Sequence, residues 1–323
     1  MRTGTLEPHH AGQRFTYCLS VEYDASADRS LWMDFLRQVV TEDTPEVITF
    51  LQEAVGYALT GHTKEEKLLY LYGPTRSGKG TFTETLLALL GHPLSSEVDF
   101  NTFTRDRSND ANNFDLAPLK PARLLVASES SQYERLNEAK IKQLTGGNYI
   151  RCAFKYGTHF TYRPQSKIVL VSNHEIKADP IDDALWGRVV RVEFPYSYLG
   201  REDTTLKERL KCPEHLQGVL AWTVEGAIRW YQKGLRVPGV LQEHLKEVRR
   251  EQDHVQQWLE ACTVRDATSV VTNSMLYQSY ELWCLAEGYK PSAMVHLGRA
   301  LKQKGLKPTK KGQRGYEGLR MLH

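Results

Sequence analysis

Along residues 30–61 the apolar positions fall three and four apart: Trp32, Phe35, Leu36 and Val39, then Val47, Phe50, Leu51, Val55 and Ala58. That spacing marks one face of an α-helix, so two helices are expected before the middle of the chain. The pattern then changes. Residues 68–72 (LLYLY) form an unbroken apolar run of strand length, followed by the glycine-bearing GPTRSG and by helix-forming KGTFTETLLALL over residues 79–90. Buried-strand runs recur at 122–128 (ARLLVAS), 167–172 (KIVLVS) and 188–194 (RVVRVEF), with a short strand expected around 98–100. Residues 91–121 are otherwise mixed and polar and read as connecting structure. Strands spaced by such connections predict an α/β core with a largely parallel central sheet.

The last seventy residues follow a different rhythm. Three helical stretches (VQQWLEACT, NSMLYQSYELWCLAEG and AMVHLGRALKQKG, the third opened by Pro291 and Ser292) precede two short strands around a glycine-bearing turn, KPTKKGQRGYEGLRML. Three helices and a basic hairpin describe a winged helix, whose third helix and wing are its natural DNA contacts. Arg299, Lys302, Lys310, Lys311 and Arg314 are the candidate contacts there, in a stretch opposed only by Glu317.

Composition narrows the class without naming a chemistry. The chain has 323 residues, a hydrophobic fraction of 41% and a net charge of +3, which suits a globular protein of two or more domains. No apolar run approaches the roughly 18 residues a membrane span requires, and the first residues, MRTGTLEPHHAGQRF, lack a signal-peptide core, so a cytoplasmic protein without membrane contact is expected. Five cysteines lie scattered without CxxC spacing, against a zinc site or a disulfide framework.

The sharpest chemistry is at the first strand-to-helix turn. Gly73, Pro74, Thr75, Arg76, Ser77, Gly78 and Lys79 have the spacing G-x-x-x-x-G-K, in which backbone N–H groups wrap a nucleotide's phosphates and the lysine reaches the β and γ oxygens. The helix after it points its N-terminus at that charge. Gly80 stands where a hydroxyl residue is usual, and the hydroxyl follows at Thr81, the candidate magnesium ligand. Ligands of parallel sheets gather at the carboxyl ends of the strands, where Glu129 and Asn173 also lie. Glu129 is the candidate base or water-positioning carboxylate, and Asn173 is the candidate to hydrogen-bond the water or the γ-phosphate. Arg188, with Arg191 as the competing choice, is the candidate finger supplied across a subunit boundary.

These residues together carry a family resemblance. LYGPTRSGKGTF, LLVASESSQYERLNEAKIKQLTGGNYI, KIVLVSNHEI and ALWGRVVRVEFPY, in that order, resemble the superfamily 3 helicase module of phage, plasmid and poxvirus-type primase-helicases. FLQEAVGYALTGHTKEEKLLYLYG and the tail containing LYQSYELWCLAEGY are similar to the same family, so the likeness runs from about Tyr17 onward.

The resemblance implies an AAA+ type ATPase that forms a ring, usually a hexamer, around single-stranded or forked DNA and moves 3′ to 5′. ATP and Mg2+ are the implied cofactors, with Thr81 and Glu129 as metal ligands beside waters. Many relatives carry two adjacent acids where this chain has Ser128 and Glu129. The family's channel hairpin corresponds to YIRCAFKYGTHFTYR, which sets Lys155 near its tip and His159 behind it as phosphate contacts.

The implied division is 1–62, an N-terminal arm and helical collar-like segment; 63–198, the ATPase core; 199–250, a helical extension; and 251–323, the winged helix. Barely thirty residues precede the first helix, so no primer-synthesis site is expected, and a separate primase or polymerase is an implied partner. Two other readings stay open: an ATP-switched initiator that binds an origin without processive unwinding, and a P-loop nucleotide kinase.

Overall fold

A computed structural model describes residues 3–40, 44–104, 113–128, 135–309 and 314–322. The chain divides into two compact units, Met1–Ala178 with Ala184–Leu245, and Asp179–Asp183 with Lys246–His323.

The first unit begins with the two helices that the spacing predicts, α1 (Ser30–Val39) and α2 (Pro45–Thr60). Pro45 suits the first turn of α2, where its missing N–H costs no hydrogen bond, and Gly61 ends the helix at φ +69°. Strand β1 (Leu68–Tyr72) then leads into α3 (Lys79–Leu90), and β2 (Ser95–Asp99) and β3 (Leu124–Ser128) follow. Next come α4 (Glu138–Thr145), the hairpin strands β4 (Ile150–Ala153) and β5 (His159–Tyr162), β6 (Lys167–Ser172), α5 (Asp183–Trp186) and β7 (Val189–Glu193).

Five strands make one sheet in the order β2-β3-β6-β1-β7, and every pairing is parallel. β1 lies between β6 and β7, buried on both faces, which is why its sequence is continuously apolar rather than alternating. The strand expected around 98–100 begins earlier, at Ser95, and gives way at Phe100 to a 3₁₀ turn that buries Phe100 and Phe103.

After the sheet, α6 (Leu206–Lys211) and the 21-residue α7 (Pro213–Lys233) return over the core. Trp32 of α1 stacks on Phe82 of α3 and meets Trp222 of α7 edge-on, both at 5.6 Å between centroids, while Phe82 meets Phe194 at 6.0 Å. Each such ring withdrawn from water contributes about 1.5–3 kcal/mol. This cluster packs α3 against α1 and against Phe194 just past β7, with α7 behind Trp32.

Glycines make the α2–α7 crossing possible. A Cβ at Gly56 would lie 2.1 Å from the amide nitrogen of Ala227, and one at Gly226 would lie 1.9 Å from the carbonyl oxygen of Gln52. Only bare backbones approach that closely.

The boundary between the units falls within α8 (Gly239–Gln252), and the second unit continues with α9 (His254–Cys262), β8 (Thr263–Thr272), α10 (Asn273–Ala286), α11 (Met294–Gln303), β9 (Lys307–Thr309) and β10 (Gly315–Met321). Its core contains Trp258, Leu276, Tyr280, Leu297, Leu301 and Tyr316. The three expected helices and two strands are present, and β8 is an addition that the sequence pattern does not announce. It pairs antiparallel with β10 to make a three-stranded sheet, β8-β10-β9. Half of its residues are exposed and residues 266–269 bulge out of register, so TVRDATSVVT carries no clear strand pattern.

Candidate functional site

The loop after β1 is held by backbone as much as by side chains. Gly73 has φ +152° and its absent Cβ would sit 2.2 Å from the carbonyl oxygen of Phe194; Gly78 has φ +94° and its Cβ would sit 2.5 Å from Cγ1 of Val39. Both conformations and both approaches need glycine. Pro74, Thr75 and Arg76 are exposed, Ser77 is buried, and Arg76 adopts φ +60°. The segment after β7 braces the loop: Ser197 Oγ donates to the carbonyl of Thr75 at 2.8 Å, and the amide of Tyr198 donates to that of Arg76 at 3.0 Å.

Lys79 is buried inside this loop. Its ammonium donates to the carbonyls of Gly73 (2.7 Å) and Pro74 (2.8 Å) and to Oγ of Ser77 (3.0 Å). Burial lowers its pKa to about 8. A desolvated cation enclosed by neutral acceptors is matched to an anion, which supplies the charge that the carbonyls lack. The first amides of α3 add donors, because they have no acceptor within the helix. Gly80 and Thr81 follow on the first turn, both half-buried.

Asn173 stands just past β6, the strand beside β1, and its Nδ2 donates to Oγ1 of Thr75 at 3.3 Å. Loop and asparagine thus meet at the carboxyl edge of the sheet. Glu129 lies outside the described residues, as do Lys310 and Lys311. The last described residue of β3, Ser128, pairs in register with Val171 of β6.

The two arginines differ. Arg188 precedes β7 at the amino edge of the sheet, where its carbonyl accepts from the amide of Leu68. One five-residue strand, about 16 Å, separates that edge from the loop. Its guanidinium bonds Glu66 Oε2 at 2.6 Å, the carbonyl of Ala184 at 2.7 Å and Thr145 Oγ1 at 3.2 Å. Arg191, in register with Tyr70, is buried in two carboxylates: Glu175 takes Nε at 3.0 Å and Nη2 at 2.5 Å, and Glu193 takes Nη1 at 3.1 Å. Burial disfavours its charge, and the hydrogen bonds and charges of the two glutamates outweigh that, raising its pKa. The guanidinium also lies 4.3 Å over the ring of Tyr72.

The β4–β5 hairpin turns through residues 154–158, closed by the amide of Gly157 donating to the carbonyl of Phe154 at 2.8 Å. Tyr156, at φ +66°, is 95% exposed at the tip, with Nζ of Lys155 5.4 Å from its ring centre. His159, opposite Ala153, is exposed as well. Of the other aromatics, Phe160 stacks on Phe154 and Tyr162 is buried with its hydroxyl donating to Leu116, so these two pack the hairpin. In the second unit Arg299 and Lys302 are exposed on α11, and Arg314 is exposed immediately before β10.

Sequence reasoning does not single out Glu84, Lys207 and Lys211. Glu84 of α3 bonds Lys207 and Lys211 of α6, more than 120 residues on. Burial works to raise the Glu84 pKa, but the two lysines prevail and hold it below the usual carboxylate range. No local pattern marks such a pairing. Among the described residues no group of three or more His, Cys, Asp or Glu is arranged to hold a metal, and no helix is long and apolar enough to cross a membrane.

A family of unknown function, DUF5906, matches residues 71–188, a span from the end of β1 to Arg188. No curated protein matches. Among solved structures, the apo C-terminal region of NrS-1 (residues 305–718) is similar over 94% of this chain and 77% of its own, with a TM-score of 0.61 and 13% identity. The A form apo structure of that region is similar over 94% and 78%, at TM-score 0.58 and 14% identity. At such identities the likeness concerns the fold: an α/β protein with a parallel five-stranded sheet and several helices.

Proposed function

We propose that this protein is an ATP-hydrolysing, ring-forming DNA helicase of the superfamily 3 type, acting in phage or plasmid replication, with an AAA+ P-loop core and a C-terminal winged helix. The observation that carries this reading is the loop of residues 73–79 at the carboxyl edge of the parallel sheet, with Lys79 enclosed in it and Asn173 touching Thr75. The helix and strand order α9-β8-α10-α11-β9-β10 supports the winged helix.

In this mechanism the loop amides and Lys79 bind the β and γ phosphates. Asn173, aligned by Thr75, orients the attacking water, and Glu129 accepts its proton. Thr81 and Glu129 are the residues to hold Mg2+, which would neutralise charge on the triphosphate; no hydroxyl stands at Gly80, so the protein contributes few direct ligands. Arg188 is assigned to the neighbouring subunit's nucleotide rather than its own. Its distance from its own loop, across the full length of β7, favours that assignment, and the saturation of Arg191 by two carboxylates in its own chain disfavours the alternative.

Lys155 and His159 at the exposed hairpin are assigned to the phosphates of single-stranded DNA, and Arg299, Lys302, Lys310, Lys311 and Arg314 to duplex DNA. A partner primase or polymerase and a cytoplasmic setting complete the proposal. The test is ATP hydrolysis with and without single-stranded DNA at low salt, using Lys79→Ala as control. Stimulation by DNA that is lost in the variant supports the motor. Binding of ATP and DNA without stimulation replaces it with the initiator switch.

A further inference from the structure

Position 80 is where this loop departs from the G-x-x-x-x-G-K-[ST] pattern, and the surroundings of that position are specific. The Cβ that Gly80 lacks would stand 3.7 Å from Nζ of Lys207 and 3.6 Å from Oε1 of Glu84. An ammonium from α6 therefore lies beside the first turn of α3, next to the amides that face the proposed phosphates. Lys207 and Glu84 are ion-paired and both partly exposed, whereas Lys79 is enclosed among neutral oxygens. Glu84 does not depend on Lys207 alone, since Nζ of Lys211 lies 3.2 Å from its other oxygen. The segment leading from β7 to α6 is the one that braces the loop through Ser197 and Tyr198, so α6 is tied to the loop it would serve.

We propose that Lys207 is a second phosphate-binding lysine, supplied in cis: with nucleotide bound, its ammonium passes from Glu84 to a terminal phosphate oxygen while Lys211 keeps Glu84 paired. The glycine at position 80 leaves the space through which a long cationic side chain reaches the triphosphate. A mobile pair of this kind suits the purpose, because an exposed ion pair is held weakly and exchanges partners at little cost, while an ammonium–phosphate hydrogen bond is charge-assisted at both ends. This inference rests on the nucleotide-binding reading above and adds a residue to it.

The test is equilibrium binding of a ribose-labelled fluorescent ATP analogue to the full chain, with Mg2+ and with EDTA, for wild type, Lys207→Met, Lys207→Arg, Lys211→Met and Lys79→Ala. Lys207→Met is expected to weaken binding by about tenfold to a hundredfold, the range of one charge-assisted hydrogen bond, with a larger loss in EDTA, where no metal shares the charge. Lys207→Arg is expected to restore most of it, and Lys211→Met to cost only about twofold to threefold, because Lys211 contacts no phosphate and its loss removes only the partly exposed partner that Glu84 keeps when Lys207 leaves. Equal losses in Lys207→Met and Lys211→Met, or no loss in either, overturn the proposal.

If Lys207→Met melts early, Glu84→Gln gives the second reading. It frees Lys207 while leaving both lysines in place, so binding is expected to hold or strengthen, and weakened binding overturns the proposal. The two failures are distinguishable. If Lys79→Ala abolishes binding and Lys207→Met does not weaken it, only the Lys207 inference falls; if wild type and Lys79→Ala both fail to bind, the nucleotide reading falls with it.

Discussion

Lys79 and Lys155 are the same side chain in opposite settings. Lys79 is buried, folded back on a loop whose carbonyls and Ser77 hydroxyl take its three donors. Lys155 stands on a solvated turn beside Tyr156, which is almost fully exposed. The buried cation has been stripped of water in advance, so an anion that reaches it gains a strong partner at one fixed place. The exposed cation stays hydrated and can track a charged backbone without selecting what it carries. The first setting suits a ligand of fixed shape and the second a polymer that slides.

The comparison breaks most visibly at Lys79. Lys79→Ala is expected to take ATP hydrolysis below detection while the thermal melt stays cooperative; retained hydrolysis would remove the loop from the chemistry. Next in size, Arg188→Ala is expected to spare nucleotide binding and lower hydrolysis by about a thousandfold or more, the scale of a trans-acting arginine. Glu66→Gln is its companion, since Glu66 pairs with Arg188 within the chain. If the arginine only braces Glu66, both variants lower the melting temperature and both still hydrolyse ATP.

At the hairpin, Lys155→Ala is expected to leave hydrolysis without DNA unchanged and to cut DNA stimulation by about tenfold. The salt dependence of DNA binding would also become shallower, by about 0.7 in the log–log slope for each single-strand phosphate that is no longer neutralised. Unchanged unwinding would detach the hairpin from DNA.

The smallest effect concerns pH. The Lys79 pKa is lowered from 10.5 to about 8 by burial, so the folded protein disfavours the charged form. Between those two values the unfolded chain keeps a proton that native Lys79 has given up, and this group's contribution to stability rises with pH across that window. Nucleotide binding needs the ammonium, so affinity is expected to fall by up to about tenfold per unit as pH climbs through 8. The Lys79→Ala variant should lack that inflection, and a titration of labelled nucleotide across pH 7 to 9.5 reads it.

The loop of residues 73–79 is more legible in the sequence than the charge networks around it. β1, α3 and the glycines at 73 and 78 can be read from local pattern, because an apolar run, a turn that needs positive φ and a helix start are each written within a few residues. The same holds for α1 and α2, and for the parallel strands β6 and β7, which follow closely the runs that announce them. β8 escapes such a reading because a strand exposed on much of its surface and broken by a bulge carries no clear alternation.

What the chain's sequence determined, then, is the local conformation and the identity of the loop that would meet a phosphate. Tertiary structure alone decided that Arg191 is consumed by Glu175 and Glu193, that Arg188 faces Glu66 at the far edge of the sheet, that Gly56 and Gly226 let α2 and α7 touch, and that Lys207 stands beside Gly80. The physical reason is range. Backbone preference and hydrophobic periodicity act over a turn or a strand, whereas a side chain's charge partner is chosen by whichever residue the fold brings within about 4 Å, however distant it is along the chain.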